Sequence, residues 1–214
     1  THAWKELPWI EELRAVRAAQ AEWTEKLARP QTPMHALFVH KTIQSLLRPD
    51  DCLVFDGGDF CHFGRSLLPA LKPKHWLYVS SLGMLGSSLP QALAAKVAYP
   101  DSRVIMLTGD GAFGFNAMEV DTAVRHRAPV LVVVANNGSW AIEVRDQEET
   151  HGKVVGTRLQ FADHAAMARA FGMHAERVEN AEELPGAIAR ALANRPALLD
   201  VVVTPEAPSS DAKS

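Results

Sequence analysis

The chain has 214 residues, of which 47% are hydrophobic, and its formal net charge is −3. This length is enough for one well-buried domain and too short for two domains of ordinary size. A weakly acidic chain offers no basic field for nucleic acid or for an anionic membrane, and no apolar run reaches the ~20 residues of a membrane span. We therefore expect neither nucleic acid nor a membrane as a partner.

The cysteine content and the start of the chain bear on its location and extent. Only Cys52 and Cys61 are present, which is too few for a disulfide scaffold and predicts a reducing cytoplasm. The first residues do not resemble a signal peptide. The chain also begins without an initiator methionine, so we expect it to be part of a longer polypeptide.

An amphipathic helix is predicted over residues 8–29, ending before Pro30. Its large apolar side chains recur at roughly helical spacing, at Trp9, Leu13, Val16 and Trp23. We interpret residues 1–32 as a linker helix that leads from a preceding domain and docks against another domain. The alternative is that this helix packs on the domain that follows it.

From residue 33 onward, β-rich runs alternate with segments of helical period. The predicted strands are Cys52–Asp56, Trp76–Ser80, Arg103–Thr108, Val130–Asn136, His174–Val178 and Leu198–Val203. The predicted helices are 33–48, 61–71, 89–98, 115–127, 161–171 and 181–194. The run Val130–Val134 is apolar on both faces, which predicts an α/β fold: a doubly wound parallel sheet of about six strands with helices on both faces. This domain spans 33–204, and 205–214 form a flexible Pro- and Ser-rich tail.

Two strand ends carry groups suited to a metal-bound diphosphate. The third predicted strand runs into Gly109-Asp110-Gly111-Ala112, and the fourth ends in Asn136-Asn137-Gly138-Ser139. Ligands of parallel sheets bind at the carboxyl ends of strands, where glycines allow close approach of the backbone. Carboxylate, amide and main-chain oxygens are the hard ligands that Mg²⁺ prefers. A Gly-Asp-Gly alone would more often be an ordinary turn.

The spacing makes the pattern more specific, because Asn137 follows Asp110 by 27 positions, with a helix and an apolar strand between them. This pattern resembles the motif that binds thiamine diphosphate (ThDP) in the pyruvate decarboxylase and acetolactate synthase superfamily. The resemblance implies the C-terminal diphosphate-binding domain of such an enzyme. It implies that Mg²⁺ is held by Asp110, by the Asn137 side chain and by the main-chain oxygen of Ser139. Backbone N–H groups in the Gly109 loop, at Gly111 and Ala112, and at Ile142 would hold the diphosphate.

Two further segments match the superfamily. Asp59 and Phe60 fall where it has another diphosphate-contacting loop, although acetolactate synthases tend to carry Gln-His there, which puts a side-chain role for Asp59 in doubt. Residues 81–90, Ser-Leu-Gly-Met-Leu-Gly-Ser-Ser-Leu-Pro, resemble the loop beneath the aminopyrimidine. By resemblance, the Gly83 carbonyl accepts from the pyrimidine amino group and Leu85 bends the cofactor into a V. The alternative for Leu85 is an ordinary core leucine.

Glu143 is the candidate catalytic residue. It follows the metal loop by one helical turn, and the pyruvate decarboxylase branch has a proton-handling Glu at the matching place, where acetolactate synthases usually carry an apolar residue. A carboxyl group in such a site could act as acid or base if desolvation raised its pKa. The alternative is a first-turn Glu that favours the helix dipole.

The resemblance also implies what this chain lacks. The glutamate that activates the aminopyrimidine belongs to a separate pyrimidine-binding domain, in the same polypeptide or another subunit, and a homodimer or homotetramer is expected. The predicted function is ThDP- and Mg²⁺-dependent formation or cleavage of a C–C bond next to a carbonyl in a small acyl or acyl-CoA substrate. Together with Glu143, the run Val154-Val155-Gly156-Thr157 most resembles the 2-hydroxyacyl-CoA lyase and oxalyl-CoA decarboxylase branch, in which a C-terminal segment closes the site; the tail could begin such a lid. The alternatives are an acetolactate-synthase-like carboligase or 2-oxoacid decarboxylase, and a non-catalytic Mg²⁺-nucleotide-binding module.

Overall fold

The computed structural model describes residues 7–78 and 82–205. The strands are β1 (Cys52–Asp56), β2 (Trp76–Tyr78), β3 (Val104–Gly109), β4 (Val130–Asn136), β5 (His174–Val178) and β6 (Ala197–Val202). The helices are α1 (Pro8–Leu27), α2 (Ala36–Gln44), α3 (Gly58–Leu67), α4 (Ser88–Ala98), α5 (Asp110–Phe115), α6 (Glu119–Arg125), α7 (Ala141–His151), α8 (His164–Ala170) and α9 (Leu184–Ala193), with a short 3₁₀ turn at Ala181–Glu183. No described helix is both long and apolar enough to cross a membrane.

The six strands form one sheet, in the order β2-β1-β3-β4-β6-β5, and every neighbouring pair is parallel. The chain moves from β1 outward to β2 and then returns past β1 to β3. Strand order therefore reverses between β1 and β3, and in open parallel sheets the crevice at such a switch point is where ligands bind. In this chain the residues that follow β1 and β3 begin at Gly57 and Asp110.

Both faces of the sheet are covered, because successive side chains of each strand point to opposite faces. One core contains Leu53 and Phe55 of β1 together with residues of α2, α3 and α9. The other contains Cys52 and Val54 with residues of α4, α6 and α8. This arrangement confirms the predicted doubly wound sheet with helices on both faces.

Helix α1 contacts the domain through its C-terminal end. The Trp23 ring stacks on Phe63 of α3 at a centroid distance of 6.0 Å, and Thr24 is buried. Near the start of the helix, Trp9 and Leu13 keep 49% and 57% of their surface exposed. The contact of Trp23 is therefore with this domain. The apolar residues in the first half of α1, Trp9 and Leu13, remain exposed in this chain.

The structure corrects the sequence analysis in two helical regions. Helix α7 was not among the predicted helices, although the placing of Glu143 one helical turn after the metal loop implied its first turn; the helix continues to His151 and ends at Gly152, whose φ is +63°. After Val144 this helix has no apolar residue at helical spacing, and only Ala141 and Val144 are buried. The predicted helix 115–127 begins only at Glu119, as α6, and Phe115 is instead the last residue of α5, which was not among the predicted helices. Asn116 leaves the helical conformation there, and its side-chain amide donates to the Gly86 carbonyl at 2.8 Å.

Four predictions fall partly outside the described residues. They concern the first six residues of the linker 1–32, the end of the strand predicted to reach residue 80, the first residue of the segment 81–90, and the tail from residue 206 onward.

Candidate functional site

A cavity of about 250 Å³ lies at the switch point, between the ends of β1 and β3 and the start of α7. Eleven of the twelve predicted site residues line it: Asp59, Phe60, Gly83, Leu85, Gly109, Asp110, Ala112, Asn137, Ser139, Ile142 and Glu143. Gly57, Gly58, Ala135, Trp140 and Ala141 complete the lining. Residues from four separate parts of the sequence therefore converge on one cavity, as the strand-end argument requires.

Asp110 connects the two loops predicted to hold the metal. The residue is only 5% exposed. Its Oδ1 accepts from the Gly111 N–H and its Oδ2 from the Gly138 N–H, both at 2.9 Å. Burial raises the pKa of this carboxyl group from 3.8 to about 6, against the opposing effect of those two hydrogen bonds. A cation next to this buried carboxyl group would therefore stabilise its charged form.

The second loop presents oxygen atoms to the same cavity. The Asn137 side-chain oxygen accepts from the Ser139 N–H at 3.0 Å and from the Ser139 hydroxyl at 3.2 Å, which closes a tight turn at the end of β4. Gly138, at the centre of this turn, has φ +63°. Among the described residues, no three His, Cys, Asp or Glu side chains come together as a metal site. A cation here would therefore depend on one carboxylate with amide and main-chain oxygens, a donor set suited to Mg²⁺.

The glycines of the cavity leave room for a ligand. A methyl group added at Gly58, Gly83 or Gly109 would meet no atom within 4 Å, so each of these residues faces open space. Gly58 begins α3 and Gly109 precedes α5, at helix starts where backbone N–H groups lack intrahelical partners. The residues present thus fit a diphosphate held on backbone N–H groups beside a divalent cation.

Gly111 makes room for a neighbouring aromatic side chain. A Cβ at this position would lie 2.8 Å from the Trp140 indole, so the absent side chain makes room for Trp140. The N–H of Gly111, predicted to bind the diphosphate, points to the Asp110 carboxylate in this structure. Gly111 is also the one predicted site residue that does not line the cavity.

Phe60 is fixed by His40, a residue that the sequence analysis did not assign to the site. The Nε2–H group of His40 donates to the Phe60 carbonyl at 2.7 Å, and the two rings stack at a centroid distance of 4.1 Å. His40 is fully buried, and burial lowers its pKa from 6.5 to about 4. The imidazole is therefore neutral near pH 7 and supports the first turn of α3 from behind.

Asp56 is a second residue that the sequence analysis missed. It is 3% exposed, and its Oδ2 accepts from the Gly86 N–H at 2.9 Å, the Ser88 N–H at 3.1 Å and the Ser88 hydroxyl at 2.8 Å. These bonds attach the segment with Gly83 and Leu85 to the end of β1. Burial raises the pKa of Asp56 while the three bonds oppose that rise. Its position at a buried strand end, just before Gly57-Gly58, was the available signal.

Leu85 and Glu143 lie at different parts of the rim. Leu85 is 39% exposed and borders both this cavity and a smaller one that reaches Tyr78. It is therefore not an ordinary core leucine. Glu143 is the third residue of α7, lines the cavity and is exposed. The burial that an acid–base role needs would have to come from another domain.

Comparisons with known proteins agree with this geometry. Residues 56–201 match the family model "Thiamine pyrophosphate enzyme, C-terminal TPP binding domain". The chain is 39% identical over 201 residues to a "Probable acetolactate synthase" of Mycobacterium bovis, covering 92% of this chain and 37% of the relative. It is 36% identical over 166 residues to human "2-hydroxyacyl-CoA lyase 2", covering 77% and 26% of the two chains. It is also 32% identical over 209 residues to an Arabidopsis thaliana "2-hydroxyacyl-CoA lyase", covering 92% and 36%. The chain thus spans between 26% and 37% of the length of these relatives. It belongs to the family of C-terminal TPP-binding domains of thiamine pyrophosphate enzymes.

Proposed function

We propose that this chain supplies the diphosphate and Mg²⁺ site of a ThDP-dependent enzyme that forms or breaks a C–C bond next to a carbonyl. The observation that carries the proposal is the switch-point cavity, where buried Asp110 and the Asn137 amide meet glycines that face open space. Membership of the family supports the choice of ThDP as the ligand.

The residues present assign a role to each side of the cavity. Asp110, the Asn137 side chain and the Ser139 main-chain oxygen would hold Mg²⁺, and backbone N–H groups of Ala112 and Ile142 would face the diphosphate. The Gly111 N–H would join them by exchanging its bond to Asp110 once a cation occupies the carboxylate. When bound, ThDP supplies an electron sink for carbanion chemistry, and the protein supplies binding and orientation.

The segment held by Asp56 would support the other end of the cofactor. Its Gly83 has φ +56°, and a side chain at this position would meet no atom within 4 Å, so its backbone is open toward the cavity. Leu85 stands beside it on the rim. A carbonyl acceptor next to a bulky aliphatic side chain suits a bent aminopyrimidine better than it suits the phosphates of a nucleotide.

A second domain is part of this proposal. Large apolar side chains around the cavity keep a third or more of their surface exposed: Leu82, Met84, Leu85, Phe115 and Phe161. Leu85 lines the cavity, the Phe115 ring packs on Trp140 at a centroid distance of 5.8 Å, and Phe161 lies over Gly138, so this patch adjoins the site. Such a patch marks a protein interface. We assign it to the pyrimidine-binding domain that carries the activating glutamate, in the same polypeptide or in another subunit of a dimer or tetramer.

For the reaction, we favour a 2-hydroxyacyl-CoA lyase. Glu143 at the cavity wall supports this choice, since a carboxylate there can transfer protons during C–C cleavage. The second candidate is an acetolactate-synthase-like carboligase, supported by the 39% identity to the mycobacterial relative.

The cofactor assignment is tested by calorimetry of ThDP in the presence and absence of Mg²⁺. We expect binding that requires Mg²⁺ and is lost in Asp110→Ala and in Asn137→Ala, because each change removes a hard oxygen ligand. Asp121→Ala is the matched control, since Asp121 pairs with Arg125 on the exposed surface of α6. Undiminished ThDP affinity in either site variant, or tighter binding of ADP than of ThDP, would refute the assignment.

The reaction assignment needs the complete enzyme. Release of an aldehyde from a 2-hydroxyacyl-CoA, without consumption of pyruvate, is the expected result, whereas the reverse preference would favour the carboligase. The 214-residue chain alone should show no turnover in either assay, and turnover by it would contradict the need for a second domain.

A further inference from the structure

One ion pair joins α3 and α7, two of the helices that begin at the cavity. The Arg145 guanidinium of α7 donates through Nη2 to Asp59 Oδ1 of α3 at 2.8 Å, across 86 positions of sequence. Side-chain exposure is 7% for Asp59 and 30% for Arg145, so the pair lies mostly out of solvent. Asp59 is also part of the cavity wall, and Arg145 follows Glu143 by two residues on α7.

The pair leaves two charged groups only half satisfied. Asp59 Oδ2 and Arg145 Nη1 are both buried and have no hydrogen-bond partner among the described residues. A buried polar atom without a partner is costly, and an unpaired buried charge is more so. Removing the arginine would therefore leave a bare carboxylate in the cavity wall.

A bare carboxylate at this place would oppose the proposed ligand. The first turn of α3 faces the cavity with Gly58, Asp59 and Phe60, where a diphosphate would contact backbone N–H groups. A diphosphate carries several negative charges, and like charges a few ångströms apart repel strongly at the effective dielectric of a protein. The cation of Arg145 cancels the charge of Asp59.

We infer that Arg145 is a positioning residue for the cofactor: its guanidinium neutralises Asp59 and fixes α7 on α3, so that the diphosphate meets a wall without net charge. The inference rests on the proposed ThDP function. It gives Asp59 a side-chain role that acts through Arg145 and not through direct contact with the diphosphate. The same ion pair fixes the position of α7 relative to α3, and α7 carries Glu143.

The test is a set of four proteins, each with the complete chain: the unmodified protein, Arg145→Gln, Asp59→Asn and the double variant. The ThDP dissociation constant with Mg²⁺ is measured by calorimetry, and the melting temperature is measured without cofactor. Arg145→Gln should raise the dissociation constant about tenfold or more, because the Asp59 carboxylate is left unpaired. Asp59→Asn should leave the ThDP dissociation constant unchanged or lower it. In the double variant this constant should be within about threefold of the value for the unmodified protein.

This asymmetry separates the inference from a purely structural role. If the pair only held the fold together, Arg145→Gln and Asp59→Asn would weaken ThDP binding to a similar extent, in step with the melting temperature. Arg145→Lys provides a conservative rescue: it keeps the positive charge and should keep ThDP affinity within about threefold, even if the melting temperature falls.

Arg125→Gln is the matched control, because it breaks the exposed Arg125–Asp121 pair of α6 and should leave ThDP binding unchanged. Absence of ThDP binding by the unmodified protein would overturn the proposed function together with this inference. Normal binding by the unmodified protein, combined with failure of the double variant to restore affinity, would overturn this inference alone.

Discussion

Acidification should destabilise the chain through His40, and the size of the effect follows from its surroundings. The imidazole is fully buried against Phe60, and its pKa is about 4 in the folded state compared with 6.5 ordinarily. In the unfolded chain the same group takes up a proton near its ordinary pKa. Below pH 6.5 the unfolded state thus binds a proton that the folded state refuses.

The direction and the window follow from this difference. Because the pKa of His40 is lower in the folded chain than in the unfolded chain, His40 does not destabilise the fold above pH 6.5. The free energy of unfolding then falls as the pH drops from 6.5 to 4. Linkage gives a loss of about 2 kcal/mol at pH 5 and about 3 kcal/mol at pH 4 from this one group. Such a loss is a large part of the 5–15 kcal/mol that typically separates folded and unfolded domains.

Urea unfolding at pH 7 and pH 5 measures the effect. The variant His40→Gln is informative because its amide can still donate to the Phe60 carbonyl but does not titrate. We expect the unmodified protein to lose about 2 kcal/mol more than His40→Gln between the two pH values, while His126→Gln, at an exposed position, behaves like the unmodified protein. Equal losses in the unmodified protein and His40→Gln would refute the reasoning.

Three further predictions concern the cavity. Glu143→Gln should keep the fold and ThDP affinity, while turnover of the complete enzyme falls about 10²–10⁴-fold. If the variant retained more than about a third of the turnover, Glu143 would act only on the helix dipole. Asp56→Ala should lower the free energy of unfolding by about 2 kcal/mol or more and weaken ThDP binding, because three donors to its carboxylate lose their acceptor. An unchanged midpoint of chemical denaturation would contradict this prediction. Gly57 and Gly58 both have positive φ, +61° and +58°, so Ala is strained at either position, but only at Gly57 would its Cβ also lie 2.7 Å from that of Ala112. Gly57→Ala should therefore cost about 1–3 kcal/mol more stability than Gly58→Ala, while Gly58→Ala should also reduce ThDP affinity because Gly58 lines the cavity. Equal melting temperatures of the two variants would contradict the steric argument.

Much of the sheet was predictable from local sequence. β1, β4 and β5 begin and end where the sequence analysis placed them, because short apolar or alternating runs are bounded by polar or turn residues. Helix α7 was not predictable in the same way. Its residues 145–151 are all charged or polar, and its packing relies on Ala141 and Val144 together with the ion pair to α3.

The candidate site likewise contains features that the sequence predicted and features that it did not. The convergence of Asp110 and Asn137 could be predicted, since the carboxyl ends of β3 and β4 are neighbours in a parallel sheet. The strand-end position of Asp56 marked it as a candidate, but its partners and the partner of Arg145 could not be predicted, because they lie 30 or more residues away in sequence. The spatial approach of such pairs depends on how loops fold back over the sheet, which leaves no periodic signal in the sequence.

The close fit of Trp140 against Gly111 also makes the cavity optically observable. The indole lies against the backbone of the Gly-Asp-Gly loop, packs edge-on with Phe115 and lines the cavity. An indole in this place reports changes in local polarity and charge through its emission. Substituting the tryptophans outside the cavity, such as Trp9, Trp23 and Trp76, would leave Trp140 as a fluorescent probe beside the metal loop. Occupation of the site by a cation, and then by a diphosphate, could be followed as two separate changes in its emission.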